Sequence, residues 1–225
     1  MKGAIIALAC FGLMLTGTSI DAESFLGFEL LDLDGAQVKW GGGNEGRPPL
    51  VTYALVTGES KFAGARNCPA MVPVGGLLAK SRILAADFDA ELRAAIELWE
   101  RAANIEFRQV ADPVAADILI GAQERPVGRA FTNIVYKPGA GPVRLIERSL
   151  ICLNPEQAWK IGFDGNLDAY DLRYTIAHEI GHAIGLDHPS PSGQVMSFLY
   201  DELFRQLQPG DLSGAARIYG PRVSN

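Results

Sequence analysis

All three histidines of this 225-residue chain lie in one segment, HEIGHAIGLDH, which runs from His178 to His188. That spacing restricts the fold more than any other feature. Side chains four residues apart stack on one face of an α-helix, one turn above the other, so His178 and His182 call for a helix there. If the helix continued, His188 would point elsewhere. Gly185 can end it, because glycine accepts the positive φ that closes a helix, and the chain can then swing His188 back to the same point. Three imidazole donors without thiolate suit zinc, and three protein ligands leave a fourth tetrahedral position open, as in catalytic rather than structural sites. Glu179, beside the first histidine, projects toward the same place, where its carboxylate can take a proton from water and hand it to a leaving amine. A chance cluster of histidines is the plain alternative, but only about one in ten thousand placements of three histidines in the chain gives these spacings. A metal site for binding alone is the better rival, yet coordination by itself has no use for the glutamate.

The helix carrying the histidines begins near Asp168–Leu172, capped by Asp168 or Asp171, and runs to Ile184. Leu172, Ile176, Ile180 and Ile184 form its buried stripe, and the histidines sit about 200° around the axis, facing away from it. Upstream, the loop GGGNEGRPP leads into LVTYALV, a strand expected to open the sheet. From Thr57 to Ala86 no period is sustained, which suggests an excursion that is either mobile or stapled by Cys68. DFDAELRAAIELWERAAN (87–104) places Phe88, Leu92, Ile96, Trp99 and Ala103 on one apolar stripe of a second helix. IEFRQV, ADILIGA, GRAFTNIVY and LIERSLICL read as further strands, roughly five in all, in a mixed α/β sheet.

The formal charge of −6 is spread along the chain, so there is neither a basic footprint for nucleic acid nor a polybasic membrane patch. Lys2, an apolar run from Ala4 to Leu15 and small or polar residues through Ala22 have the pattern of a signal peptide over 1–22. The run is too short to span a bilayer. Cys10 is set aside as a lipid anchor because the apolar run continues past it. The expected mature protein is a single domain over 23–225, secreted to an extracellular or periplasmic space, with no transmembrane segment, and monomeric. Cys68 and Cys152 are then two thiols in an oxidising compartment, and a disulfide between them is the default. DGNLD (164–168) offers oxygens that would suit Ca2+, although a turn followed by a helix cap accounts for the same residues.

The segment 178–188 resembles the metzincin metallopeptidases, whose motif HExxHxxGxxH is followed by a methionine turn beneath the zinc. Met196, in QVMS, follows His188 at a distance similar to that in the matrixins (peptidase family M10). LQPGDLSGAARIYG (207–220) is similar to their C-terminal helix, and VTY, the helix with Trp99, ADILIG and NPEQAW fall in the matrixin order, so the resemblance spans 40–220. It implies an α/β (α+β) metzincin-type catalytic domain: a twisted, mostly parallel five-stranded sheet with an antiparallel edge strand, an active-site helix, a Met-turn and a C-terminal helix. It also implies one catalytic Zn2+ on His178, His182 and His188, Glu179 as general base and acid, and Met196 as a hydrophobic floor. A protein or peptide substrate would lie as an extended strand along GRAFTNIVY, with a pocket beside the zinc choosing the side chain after the cut. The implied activity is that of a secreted zinc endopeptidase. A catalytically inactive zinc-containing module that binds peptides or a partner, and a zinc hydrolase of a non-peptide substrate, are the alternatives. Pro189 and Ser197 are more like the serralysins, yet Phe198 stands where those place a tyrosine near the zinc. No histidine is left for the second, structural zinc common in matrixins.

Overall fold

The computed structural model describes residues 27–42, 47–190 and 192–222, so the leader expected over 1–22, with Cys10, lies outside the described residues. Three short strands come first: β1 (Glu29–Leu30), β2 (Asp32–Leu33) and β3 (Ala36–Lys39). Asp34 and Gly35 both take positive φ, 54° and 76°, and turn β2 back on β3 as an antiparallel hairpin. β3 then runs parallel to the start of a later strand, with Gln37, Val38 and Lys39 opposite Val143, Arg144 and Leu145. The expectation that LVTYALV opens the sheet is therefore corrected. An Asp-Gly pair between alternating residues is a hairpin signal, and it is present in LDLDGAQVKW.

The main sheet matches the expected five strands. β4 (Leu50–Leu55) heads a group whose strand order is β7 (Glu106–Gln109), β4, β8 (Ile118–Gln123), β10 (Val143–Leu153), all parallel. β9 (Ala130–Tyr136) is antiparallel on the far side of β10 and forms the edge. Every residue of β8 is buried, which its unbroken apolar run requires of a strand covered on both faces. The aperiodic stretch after β4 holds β5 (Ser60–Lys61), β6 (Ala70–Val72), which pairs antiparallel with the end of β8, and the short helix α1 (Gly75–Ser81).

Helix α2 (Ala85–Ala102) buries Phe88, Leu92, Ile96 and Trp99 of the stripe read from its spacing, and Ala103, its buried C-cap, completes it. It packs against α3 (Leu172–Ala183), where the Trp99 Nε1–H donates to Ala177 O at 2.8 Å. Asp171, not Asp168, caps α3 by accepting the Tyr174 N–H at 2.8 Å. β11 (Ala158–Lys160) and β12 (Ala169–Asp171) pair in parallel just before α3, and β13 (Leu186–Asp187) pairs with β1 just after it. Helix α4 (Pro209–Tyr219) closes the C-terminal side, with the Tyr219 hydroxyl donating to Ile184 O and accepting the Trp40 N–H. On the face of α3 opposite its apolar stripe, His178 and Glu179 are 2% and 3% exposed. The histidine face is thus partly covered, with His178 and Glu179 buried and His182 half-buried at the cleft.

Candidate metal centre and cleft

Helix α3 places His178 and His182 one turn apart, and Gly185, at φ 105°, turns the chain into β13 so that His188 comes back to them. A side chain at Gly185 is excluded twice over, since a Cβ there would also lie 2.2 Å from Val38 O. The three Nε2 atoms converge: His178 to His182 is 3.2 Å, and His188 is 3.1 Å from each. Donors about 2.0–2.1 Å from a tetrahedral zinc stand about 3.3 Å apart, so the cluster fits such an ion. The tautomers agree with this. His178 Nδ1 lies 2.7 Å from Val195 O and His182 Nδ1 2.8 Å from Leu186 O; carbonyls only accept, so the protons sit on Nδ1 and the Nε2 lone pairs face one another. Burial holds His178 well below its ordinary pKa and lowers His182 and His188 too, so all three favour the neutral, ligating form.

Glu179 is buried beside the cluster, and the Thr132 hydroxyl on β9 donates to its Oε2 at 2.7 Å. Burial raises its carboxyl pKa, while the Thr132 hydrogen bond and the Arg129 charge oppose that shift. Met196 is 2% exposed and packs under α3 at Gly181, contributing no donor to the cluster. Its turn is fixed from α4: Asp211 accepts the N–H groups of Val195 and Met196, both at 3.0 Å, and that of Gln208 at 2.7 Å. Because Val195 O in turn orients His178, one buried carboxylate supports both a helix cap and a ligand. Asp211 is recognisable in the sequence as a cap after a proline; its hold on the Met-turn is not.

The histidines face a cleft of about 1140 Å³, larger than a usual small-molecule site and long enough for a peptide. One end lies toward Leu31, Leu33 and Tyr136, whose hydroxyl bonds Asp34, and the other toward Arg129, Leu167, Tyr170 and Tyr200. The outer edge of β9 pairs with no strand among the described residues, but Asn67 Nδ2 reaches Thr132 O at 3.1 Å. The loop bearing Asn67 is joined to β10 by a bond between Cys68 and Cys152, Cα atoms 6.0 Å apart. In DGNLD, Asp164 pairs with Lys160, Asn166 Oδ1 accepts the Asp168 N–H, and Glu202 accepts the N–H groups of Asp164 and Gly165, so the loop is a turn wrapped on Glu202. Phe198 sets its ring edge-on to His188, centroids 5.4 Å apart. Thr132, Arg129 and Glu202 escaped the sequence reading, because nothing local marks a residue whose role depends on what the fold brings opposite it.

Two helical imidazoles, a third returning after a glycine turn, a methionine beneath them and a cleft along an antiparallel edge strand define the metzincin class. The matrixin model (peptidase family M10) matches residues 78–220, more than half of the chain, and the chain belongs to that family. It is similar to karilysin of Tannerella forsythia, 30% identical over 138 residues, which cover 57% of this chain and 28% of karilysin. Human matrix metalloproteinase-19 is 30% identical over 138 residues, 59% of this chain and 26% of that protein. Mouse matrilysin is 25% identical over 146 residues, 60% of this chain and 52% of matrilysin. The match thus spans between about a quarter and a half of these relatives' own lengths. No helix among the described residues is long and apolar enough to cross a membrane.

Proposed function

We propose that the protein is a secreted zinc endopeptidase in which His178, His182 and His188 hold the metal and Glu179 is the general base and acid. The observation that carries this reading is the meeting of three Nε2 atoms within 3.2 Å of one another, beside a buried carboxylate oriented by Thr132. Zinc, when bound, supplies a Lewis acid that polarises the scissile carbonyl and makes water more acidic. Val195 O and Leu186 O keep the Nδ1 protons in place, so the Nε2 atoms of His178 and His182 remain donors. An extended peptide lies along the outer edge of β9, and because main chain pairs with main chain many sequences are accepted. Where it passes Thr132 it meets the Asn67 amide, and the carbonyl there has a second lone pair to share. Glu179 takes a proton from the attacking water and returns it to the amine nitrogen as the peptide bond breaks. Burial favours its neutral form and brings the carboxyl nearer to working pH, which suits a group that must both accept and donate. In this reading 1–22 is a signal peptide and 23–225 is exported as a single monomeric domain.

Purified protein is expected to carry a single zinc per chain, to cleave casein or a peptide library, and to lose and regain activity as zinc is chelated and restored. Glu179→Gln is expected to retain the metal while kcat falls by about 10²–10⁴-fold. Metal-loaded protein that cleaves no peptide, or a Glu179→Gln variant that matches the wild type, overturns the reading. Small esters assayed in parallel distinguish a peptidase from a hydrolase of non-peptide substrates.

A further inference from the structure

Arg129 precedes β9 and lies at the end of the cleft formed with Tyr170 and Tyr200. Its guanidinium carbon is 5.4 Å from the centroid of the Tyr170 ring and 5.6 Å from that of Tyr200. The two rings stand at 78° to each other with centroids 5.1 Å apart, so the guanidinium plane can lie flat on at most one of them, and the N–H groups not turned to the other remain for a planar acceptor. Among the described residues no carboxylate forms an ion pair with Arg129 and no side-chain hydrogen bond of its own holds it, although it is only partly exposed. Asp201, next to Tyr200, raises the Tyr174 pKa whereas Arg129 lowers it; the Asp201 Oδ1 accepts the Leu203 N–H, and the residue forms no ion pair with the arginine. A partly exposed guanidinium that faces the cleft with no carboxylate beside it is well placed to receive an anionic group from a substrate.

The position along the cleft says which part of a substrate that would be. Tyr200 receives the N–H of Asp171, so this end of the cleft lies at the N-terminal end of α3; Leu31, bonded to Gly185 O, marks the opposite end. Glu179 contacts β9 at Thr132, three residues from Arg129. A carboxylate that protonates the departing amine must sit by the nitrogen of the residue after the cut. The pocket on that side therefore receives the side chain that follows the scissile bond.

We propose that Arg129 is a specificity-determining residue that selects an acidic side chain, Asp or Glu, immediately after the cleaved bond, its guanidinium edge pairing with the substrate carboxylate over the Tyr170 and Tyr200 rings. The inference rests on the peptidase reading above. Planar bidentate recognition favours arginine over lysine at such a site, so Arg129→Lys keeps part of the preference and Arg129→Gln removes it.

Two measurements test this. With metal-loaded protein, matched peptides differing only in the residue after the cut (Glu, Gln, Leu, Lys) are expected to show kcat/KM for Glu about 10–100-fold above its isostere Gln. That ratio is expected to collapse toward unity in Arg129→Gln and to be partly kept in Arg129→Lys. With metal-free protein, product peptides beginning with Glu are expected to bind more tightly than those beginning with Gln, in a salt-sensitive manner that Arg129→Gln abolishes. Cleavage without acid preference, a preference that survives Arg129→Gln, or metal-free binding indifferent to the charge overturns the role of Arg129 and leaves the peptidase reading standing. Charge-selective binding without any cleavage by the metal-loaded wild type sinks the peptidase reading and retains Arg129 as an acid-reading residue.

Discussion

At Gly181, between the two helical histidines, an added Cβ would lie 2.1 Å from Met196 Sδ and 2.9 Å from Trp99 Cζ2. Neither neighbour has room to give. Met196 is buried with its backbone N–H held by Asp211, and Trp99 is fully buried with its indole N–H bonded to α3 itself. Alanine gains about 1 kcal/mol over glycine inside a helix, whereas overpacking a core costs about 1–3 kcal/mol and more where backbone must shift. Gly181→Ala is therefore expected to lower stability by up to about 2 kcal/mol net. Since the strain falls between His178 and His182, metal retention should weaken with it. Urea unfolding and metal analysis of the variant check this, and an unchanged midpoint would show that Met196 steps aside freely. Single residues differ in how far the sequence reveals them for the same reason. His178, His182 and His188 are legible because their spacing along the chain is itself the geometry, while Thr132 and Arg129 act only on partners 30 or more residues away, such as Glu179 and Tyr170.

The segment between the Met-turn and α4 has no regular structure, yet two side chains tie it down. Arg205 pairs with Asp171 at 2.9 Å and Glu91 at 2.8 Å, joining the segment to the cap of α3 and to α2. Glu202 accepts the N–H groups of Asp164 and Gly165 and the Tyr200 hydroxyl, and pairs with Lys160. Burial opposes its charge, but the bonds from Lys160, the Gly165 N–H, the Tyr200 hydroxyl and the Asp164 N–H outweigh that and hold Glu202 below its ordinary 4.5. Asp164 is also held low, first by Lys160. A carboxyl with a depressed folded pKa stabilises fully above its unfolded value and loses that contribution as pH falls through the folded one. Amide protection in the cleft wall around Phe198–Glu202 is accordingly expected to be constant from neutrality down to about pH 4.5 and to fall below it. Glu202→Gln should remove most of that dependence, leaving the part due to Asp164. Hydrogen-exchange protection factors across pH 3–7 read it, and a Glu202→Gln protein with the wild-type pH profile would refute the assignment.

Across the whole molecule, the sequence reveals what is local and periodic. The core strands and helices α2 and α3 are legible because apolar spacing fixes both the element and its buried face, and β8 because its apolar run is unbroken. The N-terminal strands are harder to read, since β1 and β2 are two residues long and β3 finds its partner more than a hundred residues away. The burial of His178 and Glu179 on the other side of α3 is hidden for a similar reason, because what covers them comes from β9 and the Met-turn, far along the chain. The bond between Cys68 and Cys152 reaches across this architecture, joining residues 84 positions apart in the sequence. Closing a loop of that size removes about 4–5 kcal/mol of denatured-chain entropy on the chain-entropy model, an upper figure for what the bond contributes. Both cysteines lie in a smaller apolar cluster with Val56, Met71 and Leu119, whereas α3 and Met196 belong to the main core. The bond therefore acts on the chain as a whole and on the loop against β9, without touching the histidines. Replacing both cysteines by alanine is expected to lower unfolding free energy by about 2–5 kcal/mol, while the folded variant still binds its metal in full. Denaturant titration paired with metal analysis separates the two effects. Loss of metal from the folded variant would mean that the staple also sets the geometry of the site, and an unchanged midpoint that it constrains nothing the fold does not already fix.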